Sequence, residues 1–175
     1  FVVVHPGASA SARRWPATHF AAAVRGLHDA GLEVVVTGGP HERELATAVA
    51  GETAHDLGGD TPLPVLAALL SRAAVVVAGN TGPAHVAAAV GTPLVSLFSP
   101  VVPAIRWAPY GVPTILLGDE DAACRDSRAR DCPVPGHPCL TSVSPQHVVD
   151  ACLALLPAPA GPGSAKPAPD KAALR

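Results

Sequence analysis

Three short stretches of this 175-residue sequence carry residues suited to holding a phosphate-bearing ligand. The first runs His5-Pro-Gly-Ala-Ser-Ala-Ser-Ala-Arg-Arg-Trp-Pro16. Its small residues let a ligand approach the backbone, and its two adjacent guanidinium groups can each grip a phosphate through two parallel hydrogen bonds. The plainer reading is a solvated loop with two surface arginines. The second, Thr37-Gly-Gly-Pro-His-Glu-Arg-Glu44, sets carboxylates where a strand turns into a helix. Glu42 or Glu44 there could accept hydrogen bonds from ribose hydroxyls, or could simply complement the positive end of a helix dipole. The third is Gly79-Asn-Thr-Gly-Pro-Ala-His85. In it Gly82 leaves room for a phosphate against backbone amides, Thr81 adds a hydroxyl, and His85 can face the same ligand from the first helical turn. Neither the P-loop pattern nor the six-residue dinucleotide glycine fingerprint is present, which removes the usual support for an ATPase or a dehydrogenase.

A fourth stretch, with Cys124, Cys132, His137 and Cys139, gathers soft ligands and invites a zinc reading. It has no Cys-x-x-Cys pair, and the expectation is free thiols packed in a C-terminal subregion, with no metal or other cofactor. All four cysteines, Cys152 included, fall in the last third of the chain. They are too few and too lopsided for a secreted disulfide scaffold, so a reducing cytoplasm is the expected compartment.

The elements that must position these loops can be read from hydrophobic periodicity. Phe1–Val4, Glu33–Thr37, Ala74–Ala78 and Leu94–Phe98 are short apolar runs of the kind buried on both faces of a parallel sheet, with a short strand near His55–Leu57 and another at Thr114–Leu117. Between them lie helix-length segments, Pro16–Ala30, His41–Ala50, Pro62–Arg72 and Pro83–Val90, the last two of them opened by a proline in the first turn. Strand and helix alternating without hairpin signals predict a doubly wound, Rossmann-like α/β domain built on a parallel sheet. In such sheets ligands bind beyond the carboxyl ends of the strands, where all three loops would stand. After Gly118 a polar, Cys- and Pro-bearing loop runs through Thr141, and Ser144–Leu156 restarts as a helix with Pro145 at its first position. The domain is expected to span residues 1–156. Residues 157–175 are Pro, Ala, Gly and Lys with one large apolar residue, Leu174, a composition that cannot offset the entropy of ordering.

Composition limits the partners. Hydrophobic residues make up 49% and charged residues 15%, with a net charge of −2, which leaves no basic footprint for wrapping nucleic acid. The longest apolar stretches, Val65–Gly79 and Val86–Phe98, are interrupted by Arg72 or by Gly91 and Pro93 and fall short of the roughly 20 residues of a membrane span. No charged leader precedes Phe1, which opens directly into a valine run, and the expectation is a piece of a longer chain.

Together, His5-Pro-Gly, Arg13-Arg-Trp-Pro16, Gly38-Gly-Pro and Thr81-Gly-Pro-Ala-His85-Val-Ala-Ala-Ala-Val-Gly-Thr-Pro93 carry a resemblance over residues 1–156. The sequence resembles the C-terminal half of glycosyltransferase family 9, the ADP-heptose:lipopolysaccharide heptosyltransferases and their relatives. That resemblance implies the two-domain GT-B fold, with this half holding an ADP-heptose-like nucleotide sugar. It places Ser9 and Arg13 at the donor phosphates, Glu44 at the ribose, Thr81 and Gly82 at the diphosphate, and His85 beside them. It implies inverting, metal-independent transfer to a glycan or lipid-linked acceptor, with the acceptor and the catalytic base held by an N-terminal half. The present chain alone would then bind donor without transferring it. A cytoplasmic protein, peripheral to the inner membrane face at most, follows from the same resemblance. The chain departs from the family in two places. Arg13 stands where lysine is common, which keeps the charge, and Asn80 stands where aspartate is common, which does not. Asn80 can still hydrogen-bond a sugar hydroxyl but cannot act as a base. Two other classes compete: a nucleotide-sugar binding module without catalysis, and a sugar-nucleotide epimerase, which would need an acid and a base that the sequence does not place.

Overall fold

The computed structural model describes residues 1–156, so the expectation for residues 157–175 lies outside the described residues. Six strands form one sheet: β1 (Val2–His5), β2 (Val34–Gly38), β3 (His55–Gly58), β4 (Val75–Gly79), β5 (Leu94–Leu97) and β6 (Thr114–Leu117). Their order is β3-β2-β1-β4-β5-β6 and every pairing is parallel. The helices are α1 (Ala17–Asp29), α2 (Arg43–Ala50), α3 (Leu63–Arg72), α4 (Gly82–Ala89), α5 (Ala104–Trp107), α6 (Pro138–Thr141) and α7 (Pro145–Leu155). This is the doubly wound α/β architecture the sequence predicts.

Both faces of the sheet are covered because the valine runs supply apolar side chains to each in turn. Val2, Val4, Val34, Val36, Val75 and Val77 point to a core completed by Phe20, Leu27, Val49 and Val148 of α1, α2 and α7. The intervening Val3, Val35, Val76 and Ala78 point the other way, onto Leu66 and Leu70 of α3 and Ala84 and Ala87 of α4. The period of two is the pleat itself. Burying one such valine or leucine stabilises the fold by about 1.5–3 kcal/mol, and Val2, Val3, Val76, Leu27 and Leu70 are wholly buried. Alanine at positions 84 and 87 lets α4 lie close to the sheet.

Three strands sit one residue further along than the apolar runs place them. Exposed Phe1 stays outside β1, while His5 joins the ladder opposite Ala78. Likewise Gly38 pairs with Gly58 and Gly79 with Leu97. A parallel ladder bonds backbone to backbone and does not require apolar side chains at its end. The carboxyl edge therefore carries His5, Gly38 and Gly79, and the loops that follow start from rigid positions.

Elements absent from the sequence reading are short. Ser11–Arg13 and Pro40–Glu42 each form a single 3-10 turn, α5 lies in a connection, and α6 interrupts the cysteine-bearing loop.

Candidate functional site

Chain direction decides where a ligand can enter. From β1 the chain crosses to β2 on one side, and from β4 to β5 on the other, although β1 and β4 are adjacent. The loops leaving their carboxyl ends diverge, and such a divergence point in a doubly wound sheet opens a crevice. A cleft of about 500 Å³ lies there, walled by Ser9, Arg13, Glu42, Asn80, Gly82 and His85 among others.

The first wall is the loop after β1. Trp15 closes it, buried against Phe20 with ring centroids 4.9 Å apart and donating its indole N–H to the Val143 carbonyl at 3.2 Å. The 3-10 turn ahead of it brings half-buried Arg13 against the third loop, where Nη1 donates to the Asn80 carbonyl at 3.5 Å. This approach depends on Gly79, because a Cβ there would stand 2.9 Å from the Arg13 carbonyl oxygen. Ser9 is exposed on the cleft rim. Arg14 turns away and donates to the Ala8 carbonyl at 2.7 Å.

The same loop is strapped from outside by the cysteine-bearing segment. Ala12 donates its N–H to the Arg130 carbonyl at 2.9 Å, and its own carbonyl lies 3.0 Å from His137 Nε2. Ser11 Oγ donates to Asp131 at 2.6 Å, and Arg130 donates to the Ser9 carbonyl at 3.3 Å. His137 is thereby engaged as a backbone prop. All four cysteines are free, with Cys139 beside Ser99 at 3.7 Å. Burial pushes the Cys139 thiol up to about 11 and the Cys152 thiol up to about 12, so both stay protonated. Among the described residues no three His, Cys, Asp or Glu side chains are grouped to hold a metal ion.

The second wall is the turn from β2 into α2. Glu44 lies exposed on α2 and does not line the cleft, whereas Glu42 does. The 3-10 turn over Pro40–Glu42 offsets the start of α2 and aims Glu42 back across the strand end. There its Oε2 accepts from the Gly39 N–H at 2.8 Å and stands 3.6 Å from His5 Nε2. Gly7 makes this possible, since a Cβ at that position would overlap the Glu42 carboxylate. His5 is 7% exposed, and its Nδ1 is 3.0 Å from Thr37 Oγ1. Burial lowers the His5 pKa from its ordinary value, and the neighbouring Glu42 charge offsets part of that shift.

The third wall is the turn from β4 into α4. Asn80 is 4% exposed and donates Nδ2 to the Ser99 carbonyl at 3.3 Å. Thr81 occupies the cap position of α4 in extended conformation, yet its hydroxyl makes no capping hydrogen bond. The free N–H groups of the first α4 turn are therefore open to an anion. A Cβ on Gly82 would meet nothing within 4 Å, and Gly82 and exposed His85 both border the cleft.

Five buried side-chain nitrogen or oxygen atoms among the described residues lack a hydrogen-bond partner, and three are here: Arg13 Nε, Asn80 Oδ1 and Thr81 Oγ1. Leaving such an atom unpaired costs about 1–3 kcal/mol. All three residues line the same cleft. Trp107 of α5, together with Thr61, Leu63, Leu66 and Val102, completes the lining. The sequence reading missed these five; the signal available for Trp107 was Arg106-Trp107 set between Pro103 and Pro109.

The sequence matches glycosyltransferase family 9 (heptosyltransferase) over residues 1–137. The chain belongs to glycosyltransferase family 9. It is 35% identical over 142 residues to lipopolysaccharide heptosyltransferase 3 of Escherichia coli, a match covering 75% of this chain and 41% of that protein. Among solved structures, ADP-heptose lps heptosyltransferase II of E. coli superposes with a TM-score of 0.74 at 26% identity, covering 88% of this chain and 45% of the other. A family 9 glycosyl transferase from Veillonella parvula DSM 2008 shares the fold, with a TM-score of 0.72 at 24% identity over 89% of this chain and 45% of its own. The chain thus spans less than half the length of these family 9 relatives and has the fold of one Rossmann-like part of a GT-B transferase. No helix among the described residues is long and apolar enough to cross a membrane.

Proposed function

We propose that this chain is the C-terminal, nucleotide-sugar-binding half of an inverting transferase that moves a heptose or similar sugar from an ADP-sugar to a glycan or lipid-linked acceptor. The observation that carries the proposal is a cleft at the β1/β4 divergence lined by Arg13, Asn80 and Thr81, each of which has a buried polar atom without a partner. Family membership and the ADP-heptose transferase among the similar structures support the choice of ligand.

The geometry supports the following roles. The diphosphate lies across the first turn of α4, met by its amides, the Thr81 hydroxyl and Arg13, with Gly82 leaving space and Ser9 and His85 at the rim. Glu42, in place of Glu44, accepts from the ribose hydroxyls. Asn80 offers its free oxygen to a sugar hydroxyl. In transfer, the acceptor hydroxyl attacks the anomeric carbon, the bond to the diphosphate breaks, and negative charge grows on the leaving oxygen. Fixed cationic and amide donors at that oxygen lower the barrier because they need no reorganisation. The proton of the acceptor hydroxyl goes to a general base in the half not represented here. This chain by itself therefore binds donor and transfers nothing.

Calorimetric titration of ADP tests the reading. Charge-assisted bonds are worth about 1.5–3 kcal/mol each, so Arg13→Ala weakens ADP by roughly tenfold or more, and AMP, with one phosphate fewer, binds more weakly than ADP. Equal ADP affinity in the wild type and Arg13→Ala overturns it.

A further inference from the structure

His5 is buried at the carboxyl end of β1 and borders the cleft, yet none of the donor roles above falls to it. Its two ring nitrogens face different partners. Nδ1 lies 3.0 Å from the hydroxyl of wholly buried Thr37, and Nε2 stands 3.6 Å from Glu42 Oε2. An ionised carboxylate only accepts, so the proton of the neutral ring belongs on Nε2. That leaves Nδ1 to accept and the Thr37 hydroxyl to donate. Thr37, His5 and Glu42 thus form a directed chain that runs from the sheet into the cleft.

The chain acts on one oxygen of the carboxylate. Oε2 accepts from the Gly39 N–H at 2.8 Å and faces His5, while Oε1 accepts no hydrogen bond from the described residues. Gly7 lies against the same carboxylate and has no side chain to crowd it. The 3.6 Å gap to His5 is longer than a hydrogen bond, so the attraction is electrostatic, and it is stronger here than in water because the ring is buried. A glutamate side chain left loose would have to be ordered when a ligand arrives, which weakens binding. Anchoring Oε2 beforehand removes that cost and keeps Oε1 available.

We infer that His5 is a positioning residue for the nucleotide: its Nε2–H holds Glu42 Oε2 so that Oε1 accepts from a ribose hydroxyl, and a second proton on the ring withdraws the carboxylate from that hydroxyl. The inference rests on the donor reading above for the presence of a ribose at Glu42. Glu42 is the charged group that acts on the ring. Thr37 of β2 and Ala78 of β4, its neighbours on either side, are neutral, and the other ionisable side chains of the cleft are Arg13, from the loop after β1, and His85, from α4. As pH drops through the lowered value that burial gives His5, the ring becomes an imidazolium. Its full charge attracts Oε2 and weakens the carboxylate as an acceptor. Ribose recognition is therefore complete near neutral pH and falls on acidification.

The test titrates ADP, 2′-deoxy-ADP and 3′-deoxy-ADP into the wild type, His5→Gln, His5→Leu and Glu42→Gln between about pH 5.5 and 7.5. The readout is the ratio of ADP affinity to that of the weaker deoxy analogue, in which ionisation of the phosphates and of His85 cancels. The wild-type ratio falls by roughly threefold or more on acidification. His5→Gln, whose amide can present an N–H near the place of Nε2, keeps the neutral-pH ratio and loses the pH dependence. His5→Leu lowers the ratio by roughly threefold or more at neutral pH. A wild-type ratio indifferent to pH, or His5→Leu discriminating as the wild type does, overturns the proposal and leaves the donor reading standing if Glu42→Gln still loses discrimination. If Glu42→Gln keeps the wild-type ratio, or ADP does not bind, the donor reading fails, and nitrogen NMR of the imidazole decides what remains. An Nε2–H tautomer, with a His5 pKa that falls further in Glu42→Gln, keeps His5 as the anchor of Glu42; an Nδ1–H tautomer or an unchanged pKa removes that as well.

Discussion

Glu42 and Glu44 stand two residues apart, and the structure separates them completely, so exchanging each for glutamine tests which one meets the nucleotide. Glu42→Gln keeps the side-chain length, and its amide oxygen can still accept the Gly39 N–H that Glu42 now holds at 2.8 Å. The variant loses the negative charge and one acceptor oxygen. A hydrogen bond to a charged group is worth about 1.5–3 kcal/mol against about 0.5–1.5 for a neutral pair. The difference of about 1–2 kcal/mol corresponds to a factor of roughly 5–30 in affinity. Glu44 is solvent-exposed on α2, outside the cleft lining, and a surface substitution of that kind changes stability by no more than about 0.5 kcal/mol. Calorimetry of the wild type and both variants, titrated with ADP and with 2′-deoxy-ADP at neutral pH, gives the comparison. The wild type prefers ADP, Glu42→Gln binds ADP more weakly and discriminates less between the two nucleotides, and Glu44→Gln behaves as the wild type. Weaker ADP binding in Glu44→Gln than in Glu42→Gln would refute the assignment, as would an unchanged preference in both.

Three further outcomes are expected. Gly82→Val fills the open space before α4 and lowers ADP affinity by roughly tenfold, about 1.4 kcal/mol; because a Cβ there meets no neighbour, the melting temperature hardly moves, and ADP binding at wild-type strength would show that the phosphate lies elsewhere. His137→Ala removes the prop under the Ala12 carbonyl and loosens the Arg13 turn, weakening ADP by about 1 kcal/mol; His137→Asn, which tolerates the left-handed backbone at φ 53° and keeps a donor, restores much of it, and equal ADP affinity in all three proteins would remove His137 from the site. His5 titrates below its ordinary 6.5 in the folded state, so between its folded value and 6.5 the unfolded chain binds more protons. Stability is therefore full above pH 6.5 and falls as pH drops through that window; thermal melts show a fall that His5→Gln flattens and that Glu42→Gln, which removes the offsetting charge, steepens, and an unaltered pH profile in His5→Gln would contradict it.

The sheet was legible in the sequence because its physics is repetitive. Runs such as Val2-Val-Val4 and Val75-Val-Val77 serve both faces at once, and a continuous apolar run of that length between helical segments has few other uses. Single positions were harder wherever the decisive contact joins residues distant in sequence. Glu42 and Glu44 look alike in a first helical turn, and only the 3-10 turn, with Gly7 leaving room on the opposite loop, sends one of them into the cleft. Glu42 follows Gly39 by three residues, the spacing at which an acidic side chain reaches back to the backbone N–H at a helix start, so the local half of that signal was present. The half supplied by Gly7 and His5 was 35 or more positions away. The cysteine-bearing stretch shows the same limit from the other side. Its residue types suggest metal ligation, but its side chains mostly meet backbone groups of the first loop: the Ser9 and Ala12 carbonyls receive the Arg130 and His137 side chains, and the Arg130 carbonyl holds the Ala12 N–H. Backbone donors and acceptors are the same at every position except proline, so the composition of the first loop carries no trace of where the strap attaches. The consequence reaches the cleft, because the strap holds the turn that carries Arg13, and the position of that guanidinium in the lining is set by a stretch of chain more than a hundred residues away.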